Sequence, residues 1–87
     1  MINKTVTVKN PTGLHARPAA AFVKEASRHK CSVLIKKDGR SFNGKSIISV
    51  LSACITCGTK IELETDGEGE SQALDDIVAA VESGLGE

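Results

Sequence analysis

Residues 31–43 read Cys31-Ser32-Val33-Leu34-Ile35-Lys36-Lys37-Asp38-Gly39-Arg40-Ser41-Phe42-Asn43. Val33, Leu34 and Ile35 centre a strand over 31–37. Asp38-Gly39 is a strong two-residue hairpin signal, and Arg40 to Asn43 form the returning strand. An antiparallel pair therefore lies in the middle of the chain. Upstream, a helix is expected from about Ala16 to Arg28, with Pro18 in its first turn, where a missing N–H costs little. Ala19, Ala20, Phe22, Val23 and Ala26 give it an apolar stripe. Before it, residues 2–9 alternate, with Ile2, Val6 and Val8 on one face and Thr5 and Thr7 on the other. Asn10-Pro11-Thr12-Gly13 ends that strand.

Downstream, Gly44-Lys45-Ser46 leads into a shorter helix reaching about Ala53 or Cys54, with Ser46 a good N-cap type. Gly58 suits the turn that follows. Thr59 to Thr65 alternate again, Ile61 and Leu63 against Lys60, Glu62 and Glu64. Asp66-Gly67-Glu68-Gly69 is a turn. A last helix runs from about Ser71 to Ser83, with Leu74, Ile77, Val78 and Val81 as its buried stripe. The order is β-α-β-β-α-β-α. Alternating strands want one covered and one open face, which helices on one side of an antiparallel sheet provide. The expected fold is α+β: an open-faced β-sandwich, four antiparallel strands covered on one face by three helices.

Composition narrows the function. The chain has 87 residues, 40% of them apolar, enough for one small core and against disorder. Residues 1–87 read as one domain without repeat or linker. Phe22 and Phe42 are its only aromatics, which disfavours a base-stacking surface. Eleven basic residues balance eleven acidic ones, so no basic nucleic-acid footprint is expected. MINKTVTVKN shows no apolar signal region, and no run approaches a membrane span. With three cysteines and no export signal, a reduced cytoplasmic setting is expected. There is no GxxxxGK[ST] and no GxGxxG, so no nucleotide cofactor is expected. Asp75-Asp76 reads as helix surface.

Chemistry concentrates at Gly13-Leu14-His15-Ala16-Arg17-Pro18. The first turn of a helix leaves N–H groups unpartnered at the positive end of the dipole, which suits an anion. A neutral imidazole is a competent nucleophile near neutral pH. Arg17 offers a fork of donors matched to phosphate oxygens, and Gly13 permits close backbone approach or an unusual φ. These residues point to phosphoryl transfer through His15; the plainer alternative is a loop histidine at a helix cap. Ser46 has two readings as well: N-cap, or a phosphorylation site whose charge the helix start tolerates.

The second helix carries more apolar residues than one buried stripe needs. Ile47, Ile48 and Leu51 are candidates for an exposed docking edge, with Arg17, Lys24 and Lys45 as a basic rim favouring an acidic partner. The alternative is a deeply sunk helix. Cys54-Ile55-Thr56-Cys57 is a CxxC, but it lies towards a helix C-terminus, where the dipole disfavours a thiolate. Only Cys31 and His29 remain to complete a zinc set, so no metal is expected. His29, between Arg28 and Lys30, reads as a solvated helix end.

Two separated motifs, Gly13-Leu14-His15-Ala16-Arg17-Pro18-Ala19 and Asn43-Gly44-Lys45-Ser46-Ile47, together with the element order, closely resemble the HPr family. These are the histidine-containing phosphocarriers of the bacterial phosphoenolpyruvate-dependent phosphotransferase system. The resemblance spans essentially the whole chain. It implies a carrier that is not an enzyme, in sugar or nitrogen-related systems. His15 would accept phosphate on Nδ1 from phosphorylated enzyme I and donate it to enzyme IIA domains, with Arg17 steadying the group. Ser46 would match the serine modified by an ATP-dependent HPr kinase, and a transcriptional regulator would be a further partner. Ile47, Ile48 and Leu51 match the docking patch, and Ala16, Ala20, Lys24 and Lys45 complete the expected contact set. A monomer without cofactor is expected. The alternative within the family is a regulatory co-repressor controlled through Ser46; a paralogue lacking the histidine acts only in regulation, and His15 argues against that role. Cys54, Cys57, Ile48 and Leu51 depart from the usual pattern.

Overall fold

The computed structural model describes residues 1–11 and 13–85. Its elements run β1 (Ile2–Thr7), α1 (Ala16–Ser27), β2 (Ser32–Lys37), β3 (Arg40–Asn43), α2 (Ile47–Ser52), β4 (Lys60–Asp66) and α3 (Glu70–Glu82). The central hairpin forms as read. Asp38 and Gly39 both have positive φ, 52° and 77°, which a type I′ turn requires at its two middle positions.

The four strands pair in the order β1-β4-β2-β3, all antiparallel. Placing β4 between β1 and β2 gives both their ladders one shared partner. The helices cover one face of this sheet. Phe22 of α1, Val50 of α2 and Ile77 of α3 meet Ile35, Ile61 and Leu63 of the sheet in one hydrophobic cluster, all fully buried.

The observed bounds move by a few residues. β1 stops at Thr7, because Val8 pairs with loop rather than strand: its N–H donates to the Thr59 carbonyl and its carbonyl accepts from Gly58 N–H. α3 starts one residue early, with Gly69 at its N-cap and the Glu70 carboxylate accepting from Gly67 N–H at 3.0 Å. Ala20 is exposed rather than part of the buried stripe of α1, which is made by Pro18, Ala19, Phe22 and Ala26. Across the other face of the sheet, Glu64 is only 6% exposed. It accepts from the Lys36 ammonium at 2.8 Å, and that hydrogen bond raises the Lys36 pKa above the usual lysine value.

One contact fixes where α1 begins. Gly13 has φ 65°, and a Cβ built there would collide with the Ile55 carbonyl oxygen and meet the Thr56 Cα at 2.6 Å. The neighbouring Leu14 N–H donates to that same carbonyl at 2.9 Å. Gly39 has a similar φ but open space around it. Gly39→Ala should therefore cost only the backbone strain, about 1–2 kcal/mol. Gly13→Ala adds overpacking and should cost about 2–5 kcal/mol. Urea unfolding of the two variants measures the difference.

Candidate functional site at the start of the first helix

His15 is the N-cap of α1, with extended backbone (φ −83°, ψ −165°), an exposed side chain and no side-chain cap hydrogen bond. Its backbone carbonyl accepts from Ala19 N–H at 2.8 Å, which starts the helix. On one side it is anchored by Leu14, 3% exposed and sunk in the core; on the other by Pro18 and Ala19. The ring is thus an exposed group on a rigid stem. The N–H groups of Ala16 and Arg17 lie at the tip of the helix, where no intrahelical acceptor exists, and Pro18 has none to offer. The Arg17 side chain is exposed. No acidic residue lies in the first turn of α1 to compete for an anion.

A cleft of about 430 Å³ lies beside the imidazole, lined by Leu14, His15, Leu51, Cys54, Ile55 and Thr56. It joins the start of α1 to α2. The apolar surplus of α2 is exposed, and Leu51 of it lines this cleft: Ile48 is 78% exposed, Leu51 40% and Ile47 37%, whereas Val50 is fully buried. Ala16, Ala20 and Lys24 are exposed on α1. Lys45 is placed differently from the other cations. It is half-buried, and its ammonium donates to the His29 carbonyl at 2.6 Å, at the far end of α1.

Ser46 is the N-cap of α2, its hydroxyl accepting from Ser49 N–H at 3.3 Å. Cys54, which sequence reasoning leaves outside the histidine site, lines the same cleft. It lies past the Ala53 C-cap of α2 with φ 52°, so helical spacing does not place it there. The Lys37 ammonium donates to the Ala53 and Cys54 carbonyls at 3.0 and 3.2 Å, closing the C-terminus of α2. Among the described residues the CxxC gathers no third ligand. Cys54 and Cys57 are exposed and Cys31 is buried, while His29 faces Glu25 and Asp76. His29 is therefore not a solvated helix end; its side chain is 14% exposed.

Comparison with known proteins fits this arrangement. Residues 2–83 match the family described as the PTS HPr component phosphorylation site. The HPr-like protein Crh of Halalkalibacterium halodurans is 45% identical over 82 residues, 94% of this chain and 98% of that protein. The phosphocarrier protein HPr of Haemophilus influenzae is 37% identical, covering 93% and 95%. A crystal structure of HPr-C-His from Thermoanaerobacter tengcongensis superposes with a TM-score of 0.96 at 39% identity, over 100% of this chain and 98% of that one. The chain belongs to the HPr family of phosphocarrier proteins. Members of this family carry phosphoryl groups rather than catalyse their turnover.

The expectation of a monomer is not supported. Solved relatives include an HPr dimer from T. tengcongensis and a domain-swapped dimer of Bacillus subtilis Crh. Among the described residues no helix is long and apolar enough to cross a membrane.

The cap at Ser46 yields a direct test. Ser46→Ala removes the side-chain acceptor at the N-cap of α2 and should cost about 1 kcal/mol, whereas Ser46→Asp, also a strong N-cap type, should stay near wild-type stability. Parallel urea titrations of the three proteins check this.

Proposed function

We propose that His15 is the phosphoryl acceptor of this chain, taking the group from phosphorylated enzyme I and passing it to enzyme IIA domains. The carrying observation is an exposed imidazole, held by its backbone at the positive tip of α1 and free of any side-chain cap bond. In the forward step the Nδ1 lone pair forms an N–P bond as the donor's bond to phosphorus breaks. The phosphoryl oxygens then meet the Ala16 and Arg17 amides and the Arg17 guanidinium. An open site with these few donors stabilises the adduct without enclosing it, so a partner can reach the phosphorus and remove it. Residues 1–87 act as one HPr-like domain in the cytoplasm, and the partners supply the remaining catalytic groups.

Ile47, Ile48 and Leu51, with Ala16, Ala20 and Lys24, form the docking face beside the histidine, whereas the Lys45 ammonium is turned to the His29 carbonyl at the far end of α1. The apolar centre and basic margin of the face suit an acidic-rimmed partner surface. Phosphorylation of Ser46 would place a dianion at the edge of this face while the helix start tolerates its charge. An ATP-dependent HPr kinase/phosphorylase would set that state.

A second reading rests on a specific observation: Crh proteins at 43% and 45% identity stand among the relatives of this chain, beside HPr phosphocarriers at 37% and 42%. B. subtilis Crh is described as a catabolite-repression protein. On that reading the chain is a co-repressor controlled through Ser46 that binds a transcriptional regulator. The presence of His15 favours the carrier.

Incubation with phosphoenolpyruvate and enzyme I decides between them. The carrier reading expects an acid-labile adduct on the wild type, absent in His15→Ala and slowed in Arg17→Ala. No adduct on the wild type, together with Ser46-dependent binding to a regulator, supports the co-repressor. The docking face has its own test. Ile48→Glu should leave stability within about 0.5 kcal/mol, since the residue is exposed. It should slow transfer from enzyme I about 10- to 100-fold, the range set by losing one buried aliphatic contact.

A further inference from the structure

Away from the histidine site, the other end of α1 holds a group of side chains with no part in phosphoryl transfer. The Glu25 carboxylate lies 3.2 Å from His29 Nε2, and the Asp76 carboxylate of α3 lies 3.7 Å from the same nitrogen. One donor atom from each of the three falls within 4.8 Å of the others. Their side chains are 19%, 14% and 36% exposed. We propose that Glu25, His29 and Asp76 form a binding site for a divalent first-row transition cation of the zinc type.

Geometry is the first argument. A tetrahedral Zn²⁺ with ligands at about 2.0–2.2 Å holds its donor atoms roughly 3.4 Å apart. The two separations at His29 Nε2 bracket that spacing, so little side-chain movement is needed. Donor chemistry is the second. One imidazole nitrogen with two carboxylate oxygens suits zinc, cobalt or nickel; calcium and magnesium prefer all-oxygen shells. Access is the third. A cleft of about 440 Å³, lined by Glu25, Arg28, Asp76, Ala79, Ala80 and Ser83, opens next to the carboxylates and leaves room for water in the remaining positions. The backbone of His29 is held as well, its N–H on the Ala26 carbonyl and its carbonyl on the Lys45 ammonium. Glu25 and Asp76 belong to different helices, so a bound ion would cross-link α1 to α3.

Two cations face the site and set its affinity. Arg28 donates to both oxygens of Glu25, at 3.1 and 3.2 Å, from a side chain that is 66% exposed. It competes with the metal but is free to turn into solvent. Lys45 contacts only the backbone of His29. Removing Arg28 should therefore strengthen metal binding, a sign opposite to that of removing any ligand.

Calorimetric titration of the whole protein with ZnCl₂ at neutral pH tests this, in a Cys54→Ser/Cys57→Ser background as well as the wild type so that the thiols are accounted for. One equivalent should bind in both. Loss of a mere supporting group around a metal costs about 10- to 100-fold in affinity, so His29→Gln and Asp76→Asn should lose at least that much, while Arg28→Gln should bind more tightly than wild type. A measurement on the unaltered chain runs beside these: zinc should shift the ring signals of His29 in NMR and leave those of His15 in place. Absence of binding, binding that survives His29→Gln, or binding that disappears with the cysteines would overturn the proposal and leave the cluster as an ionic contact between two helices.

Discussion

The close approach of Gly13 to the Ile55–Thr56 backbone is the constraint on which the start of α1, and with it the position of His15, depends. Ile55 is 3% exposed and belongs to the core. Its carbonyl receives Leu14 N–H, and the absence of a Cβ at Gly13 lets the two backbones meet. The loop before α1 is thereby sewn to the connection between α2 and β4. His15 inherits its position from that seam, and so does the cleft it shares with Leu51 and Cys54. Asn10 secures the upstream side, its side-chain amide donating to the Gly84 carbonyl at 2.6 Å. Such anchoring removes the entropy of positioning the exposed His15 side chain's stem during folding.

The two ends of α1 are treated in opposite ways. At the negative end, carbonyls and side chains are engaged: Arg28 and His29 N–H groups on Glu25 and Ala26, the Lys45 ammonium on His29, and the Glu25–His29–Asp76 group pressed against α3. The positive end has no acidic residue and no side-chain cap. Helix starts usually carry Ser, Thr, Asp or Asn to satisfy their amides. Withholding that cap costs some stability and keeps donors available for an anion. α2 shows the ordinary solution, with Ser46 at its start and Lys37 across its last carbonyls.

Apolar exposure follows the same division. Val50 anchors α2 in the core, and the turn of helix opposite it cannot be buried by a sheet and two helices already in contact elsewhere. Ile48 therefore stands in solvent. A short helix with apolar residues on both faces is costly for an isolated chain and reasonable for one whose outer face is transiently covered by partners.

Much of this was legible without coordinates. The I′ hairpin at Asp38-Gly39, the alternation of β4, the stripe of α3, the capping serine and the surplus on α2 are all local: each is encoded within a few residues by backbone sterics and side-chain period. The Gly-x-His-x-Arg run is local too, and so the position of His15 at a helix start could be read directly. What tertiary structure alone decided are distances between segments far apart in the chain. Periodicity places Ala20 on the apolar stripe, but the width of that stripe depends on what packs against it, and Ala20 is left exposed. His29 looked like a free helix end because its neighbours in sequence are basic; Asp76, forty-seven residues later, is brought to it only by the packing of α1 on α3. Cys54 enters the histidine cleft for the same reason. Sequence specifies conformation over one turn or one strand, whereas the meeting of side chains across elements is settled by how those elements share a common core.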